Sequence, residues 1–378
     1  MGRLPGLVQS RVWDAASQRS VYHRCTPAPW TTEATVITTA PPIRAALIGC
    51  GHISARHIPA WQATPDATLV AVCDQDRSRA EARAQEFGVA HVYTDVADML
   101  AQEPLDCVDI ATRPESHAAL TQLAVNSKRH VLCQKPLAAT MAEGRAIAAT
   151  CAHGGVRFMV MEMWRHIPAY RDLRRYVDAG LIGPVHFMRI VGQRRPMARV
   201  HPVNPEQPYF SEMPKLFVYE MAIHWIDGAR YLMGDVDGVY ARMFHINPAI
   251  AGEDAAVVVL THGGATTLLD GSWASPEGVP SPAGNGGVVL EGRDGSLHFD
   301  QSAGELRHIT NDRTVVLERY PPRSIQAAFD NCIADFAAGV RWGRPFLSSG
   351  EDNLRTLAAT LAAYESAATG HTVAPESV

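Results

Sequence analysis

No stretch of the 378 residues reaches the roughly 18–20 uninterrupted apolar residues that a spanning helix needs, so no membrane anchor of that kind is expected. Nor is there a lysine- or arginine-rich run. The 34 basic and 39 acidic residues are interspersed and give a formal net charge of -5, which argues against a nucleic-acid partner. The seven cysteines are odd in number and include no Cys-x-x-Cys pair, so neither a disulfide framework nor a zinc site is expected; a reduced, cytoplasmic compartment is. Cys50, Cys73, Cys107 and Cys133 fall in or beside apolar segments, where a thiol packs as a small hydrophobe. No tandem repeat is visible, and the one biased tract is "SPEGVPSPAGNGG" at 275–287.

What is present suits a soluble globular chain: 47% hydrophobic and 19% charged residues, with length enough for two domains. Residues 1–41 carry four arginines and only two acids without a hydrophobic segment of signal type, and are read as a leader outside the fold. From Ile43 short apolar runs alternate with amphipathic stretches, the form of repeated βαβ units. Strands are expected at 43–49, 68–73, 91–93, 106–111 and 130–134, with helices starting near Ser54, Arg77, Asp95, Glu115 and Thr140. This α/β, doubly wound parallel sheet is placed at 42–160. After "VRFMVMEMW" (156–164) the pattern changes to an α+β domain at 161–378. It has helices near Ala169–Ala179 and Leu216–Leu232, then successive strands implying a mostly antiparallel open sheet, then two closing helices. The last helix is expected to pack back on the first domain.

"ALIGCGHIS" is a strand followed at once by Gly49, Gly51 and a helix, so backbone amides can approach a pyrophosphate and the helix dipole favours its charge. Ser54 stands where a third glycine is usual. Asp74 ends the next strand, 23 residues beyond Gly51, where a carboxylate accepts both ribose hydroxyls and repels a 2′-phosphate. NAD is therefore expected, with NADP open because Arg77 and Arg79 lie close by. In "CQKP", Lys135 follows the fifth strand on the same sheet edge. In "KLFVYEMAIHWIDGARYLMG", Glu220, His224 and Asp227 fall at i, i+4 and i+7 on one helix face. Three readings stay open there: a histidine base oriented by a carboxylate, a shared metal ion, or simply a solvated face or a buried histidine satisfied by its neighbour. No metal is expected, since no further ligand lies near in sequence.

Together, "IGCGHISARH", "DIATRPESH", "CQKP", "WRHIPAYRDLR" and "EMAIHWIDGARYLMG" resemble the Gfo/Idh/MocA family of nicotinamide-dependent oxidoreductases over about residues 43–372. The resemblance implies a Rossmann domain and a second domain for substrate and oligomerisation. It implies cofactor contacts from Gly49, Gly51, His52, Ile53, Asp74, Thr112, Arg113, Pro114, His117, Gln134, Lys135, Trp164 and Arg165, and substrate contacts from Lys135, Tyr209, Glu220 and His224. Lys135, Glu220 and His224 would be catalytic, with a cis bond preceding Pro136. The family's Glu-Lys-Pro is Gln-Lys-Pro here, and its helix aspartate is Glu220. A narrower subgroup shares both changes and points to a sugar or polyol as substrate.

The expected chemistry is hydride transfer to NAD, with His224 taking the hydroxyl proton and Lys135 stabilising the oxyanion. A non-catalytic nucleotide sensor would need the phosphate loop but neither Lys135 nor His224. An enzyme recycling a tightly bound cofactor would retain nicotinamide on purification. A homodimer or homotetramer is expected by family analogy.

Overall fold

The computed structural model describes residues 41–193, 207–275, 287–321 and 325–378. The leader up to residue 40, the proline-containing loop after Gln193 and most of the 275–287 tract lie outside the described residues.

The first sheet is built from β1 (Ile43–Ile48), β2 (Ala67–Cys73), β3 (His91–Tyr93), β4 (Cys107–Ile110), β5 (His130–Gln134) and β6 (Phe158–Met161). Between them run α1 (Ser54–Ala63), α2 (Arg77–Phe87), α3 (Val96–Gln102), α4 (His117–Asn126) and α5 (Met141–Gly154). All pairings are parallel, in the order β3-β2-β1-β4-β5-β6. The central strands are buried on both faces, as expected for a sheet covered by crossover helices. Local chemistry places the helix ends. Asp95 caps α3, Thr140 and Glu143 form a capping box on α5, and Gly88 ends α2 at φ 68°. The helix expected from Glu115 begins at His117, after a single 3₁₀ turn at Pro114–Ser116.

The chain leaves this sheet through a 3₁₀ turn (Met163–His166) and α6 (Pro168–Asp178). The second sheet comprises β7 (Val185–Gln193), β8 (Gly238–Phe244), β9 (Ala255–His262), β10 (Ala265–Ser272), β11 (Gly287–Gly292), β12 (Gly295–Asp300), β13 (Glu305–Ile309) and β14 (Thr314–Arg319). Its order is β14-β13-β12-β11-β7-β10-β9-β8, antiparallel except for β7 beside β10. Strict alternation buries Val258 and Leu260 on one face, while Val257, Val259 and Tyr240 are half-buried on the other. Against the inner face lies α7 (Ile223–Met233). There Gly192 and Gly271 sit side by side, and a Cβ on either would come within 2.6 Å of the Trp225 indole.

Two helices close the chain, α8 (Ile325–Trp342) and α9 (Gly350–Thr369). α9 packs on α5, α7 and β8, and the segment just before it pairs with the edge strand of the first sheet. Ser349 bridges Met159, and Val160 N–H donates to Ser348 O at 3.0 Å.

Candidate active site

The parallel sheet reverses its winding between β1 and β4, and the loops following β1, β2, β4, β5 and β6 share that carboxyl edge. After β1, Gly49 turns at φ 102°, where a Cβ would meet Ala111 O at 2.7 Å. A glycine is needed for both reasons. Ser54, in place of a third glycine, is fully buried; its hydroxyl donates to Gly51 O at 2.6 Å and accepts from Arg83 Nε at 3.0 Å. α1 begins with no side-chain cap and no acid in its first turn, leaving its amino end open to an anion. Asp74 is held at both oxygens, by Cys50 N–H at 2.7 Å and Asp76 N–H at 2.9 Å. Its remaining lone pairs face a cavity of about 490 Å³ lined also by Gly49, Thr112 and Arg113. Uncapped amides, a fixed carboxylate and a side-chain-free turn fit the pyrophosphate and adenosine ribose of NAD. His52 is exposed and Ile53 half-buried on the same turn. Burial pushes the neighbouring thiols of Cys50 and Cys73 up to about 12, so they stay protonated.

The next two loops are tied together. Pro114 opens the turn after β4, and the buried His117 ring sits 3.1 Å from Thr112 O and 3.0 Å from Leu137 O. Desolvation lowers its pKa, against the pull of the two carbonyls. Arg113 lies over the Tyr209 ring at 5.4 Å, joining the β4 loop to the 3₁₀ turn at Pro208–Glu212.

At the β5 corner the Lys135–Pro136 bond is cis. Lys135 Nζ donates to both Glu220 Oε2 and Glu220 O, each at 2.9 Å. The carbonyl lies within a π-helical turn, Val218–Ala222, that precedes α7. This corrects the sequence expectation of one regular helix face. Glu220 serves Lys135 rather than His224, and Asp227 is drawn away into a fork with Arg165 at 2.6 and 2.7 Å. Arg165, expected against the cofactor, is likewise committed inward to Asp227, Asp352 and Leu347 O. A guanidinium fork matches a buried carboxylate better than any other side chain. Burial pushes the Asp227 carboxyl up and Arg165 opposes it. The turn's entry is fixed by Glu253, which accepts Val218 N–H at 2.9 Å and the Tyr364 hydroxyl at 2.6 Å.

Further residues complete the site. Glu162, fully buried just beyond β6, is the hydrogen-bond partner of His224 Nδ1. Trp164 stacks on that imidazole, centroids 5.8 Å apart at 13°. Beneath Lys135, Gln134 Oε1 accepts Lys135 N–H at 2.7 Å while Gln134 Nε2 lies 2.9 Å from His57 Nε2. His57 Nδ1 and Trp61 Nε1–H both reach Asp109 Oδ2, at 2.7 and 2.8 Å. Glu162, His57 and Asp109 were not singled out from the sequence. Their one visible signal is a charged or titratable residue inside an apolar run, as in "MVMEM" and "DCVDIA".

Residues 43–162 match the family described as "Oxidoreductase family, NAD-binding Rossmann fold", and residues 170–298 match the "GFO/IDH/MocA C-terminal domain". The chain is 37% identical over 344 residues to D-apiose dehydrogenase of Paraburkholderia graminis, covering 89% of this chain and 90% of that one. It is 31% identical to D-apiose dehydrogenase of Rhizobium rhizogenes, covering 88% and 97%. A crystal structure of an oxidoreductase from Agrobacterium radiobacter with NAD+, L-tartaric acid and magnesium superposes with a TM-score of 0.80 at 31% identity, covering 88% and 98%. With that glycine turn, that carboxylate at the end of β2 and these matches along most of its length, the chain belongs to the Gfo/Idh/MocA family of NAD-binding oxidoreductases.

Proposed function

We propose that the protein oxidises a hydroxyl of a sugar or polyol, with D-apiose, taken to its lactone, the leading candidate. The relatives' names support the substrate class. One observation carries the mechanism: the Lys135 ammonium reaches across to the turn that leads into the helix bearing His224, through two 2.9 Å bonds to Glu220. Two elements distant in sequence thereby meet at the carboxyl edge of the nucleotide sheet. Bound there, NAD supplies the hydride acceptor. His224 acts as general base, taking the hydroxyl proton on Nε2, which has no hydrogen-bond partner among the described residues. Lys135, with two of its three protons held by Glu220, directs the third at the oxygen as its negative charge develops. Glu220 keeps that ammonium fixed, and Tyr209 contributes to the substrate side. The half-buried outer face of the eight-stranded sheet is assigned to contact between copies of the chain.

Steady-state assays following NADH with D-apiose, xylose, glucose and inositols test this. Lys135→Ala and His224→Ala should each lower kcat/KM by about 10²–10⁴ with NAD binding retained. Activity of both variants within about tenfold of the parent would sink the assignment.

A further inference from the structure

Neither acid on the segment that carries His224 reaches its imidazole: Glu220 is bound to Lys135, and Asp227 to Arg165 and the Thr356 hydroxyl. The partner comes instead from the other domain's sheet. Glu162 follows β6 directly, its N–H donating to Val160 O at 2.7 Å in a tight turn that swings the side chain beneath α7. Its Oε1 binds His224 Nδ1, and its Oε2 is buried with no hydrogen-bond partner among the described residues. Burying a carboxylate completely costs several kcal/mol unless something nearby uses its charge. The other charged groups around this corner are already paired: Lys135 with Glu220, Arg165 and Arg230 with Asp227 and Asp352. The Glu162 carboxyl therefore has the imidazole as its one hydrogen-bonded neighbour among the described residues, and Trp164, stacked on that ring, restricts its rotation.

We propose that Glu162 is the positioning residue for His224. Its carboxylate accepts the Nδ1 proton, which fixes the tautomer that leaves the Nε2 lone pair free, and it stabilises the imidazolium formed when the substrate proton arrives. This rests on His224 being the base, so its test includes a readout that does not require turnover. In the full-length chain carrying ¹⁵N-histidine, with and without NAD, the ring signals absent from His224→Asn identify that residue. In Glu162→Gln, which keeps shape but removes charge, the imidazolium loses its counter-ion. The His224 titration should then move about one pH unit or more toward acid. The acid limb of kcat/KM for D-apiose and NAD should move the same way, with a loss of about 10- to 100-fold on the plateau. Glu162→Asp retains the charge but withdraws the oxygen, and should restore part of the titration shift while leaving kcat reduced. If Glu162→Gln fails to fold, Glu162→Asp alone decides. A His224 titration and a kcat/KM both unchanged in the variant that folds overturn the proposal. If instead the titration shifts while His224→Asn remains active, the positioning contact stands and the general-base assignment falls.

Discussion

Gln134 departs from the Glu-Lys-Pro pattern that the sequence otherwise resembles, and its partners explain how an amide serves there. Lys135 N–H must find an acceptor, so Oε1 faces it and the NH₂ group faces His57 Nε2. With that amide group donating to Nε2, His57 donates from Nδ1 to Asp109. Replacing Gln134 with Glu opposes a carboxylate to that lone pair, and the pair is satisfied only by taking up a proton. Gln134→Glu should therefore destabilise the fold by about 1–3 kcal/mol, measured by thermal unfolding. The departure from Glu was legible in "CQKP", but the partner was not, because His57 lies 77 positions earlier on α1 and chain spacing carries no trace of contacts across a sheet edge. Lys135 was legible from its place after the fifth strand on the loop edge. The chain has only three lysines, at 128, 135 and 215, among 34 basic residues, so an ammonium at a buried corner is a choice of geometry.

At the scale of elements, the segment bearing His224 is aimed by what it rests on. The benzo edge of Trp225 fits the slot formed by Gly192 and Gly271, and Phe217 closes the same slot. A methyl group at residue 271 would stand 2.3 Å from Phe217 Cζ and 2.6 Å from Trp225 Cζ3, forcing α7 off the sheet. Gly271→Ala should cost about 1–3 kcal/mol. It should also lower kcat while leaving NAD affinity unchanged, because the nucleotide sheet is untouched; calorimetry and NAD titration check both. Strands with a buried face were readable from composition, as in "DAAVVVLTH". β13 and β14 were not: the edge strand β14 is exposed or half-buried along its whole length, and β13 carries Glu305 and Arg307, so the apolar alternation is lost. The π-helical turn was equally hidden, since one additional residue in a turn leaves the apolar pattern almost intact and changes only which groups point together.

For the whole molecule, the order of the two sheets was legible because local periodicity reports each sheet separately. The junction was not, because it is built from polar groups of low sequence proximity, such as Arg165, Arg230 and Asp352. His166 lies in that junction with both ring nitrogens buried and unpartnered among the described residues, and burial with Arg171 and Arg165 nearby pushes it down to about 3. Its ordinary value is near 6.5, so between these limits the unfolded chain binds the extra proton and stability falls as pH falls. This one residue should remove about 2 kcal/mol between pH 6.5 and pH 5, and His166→Phe should flatten that slope in melting curves across the range. The pairing of Ser348 and Ser349 with β6 bears on how the protein is made. On the ribosome, the nucleotide-binding half emerges first, yet its outer β edge stays bare until residue 349 has been synthesised. A nascent chain paused before that point presents an open strand to its neighbours in the polysome, so the order of translation and the order of completion are reversed.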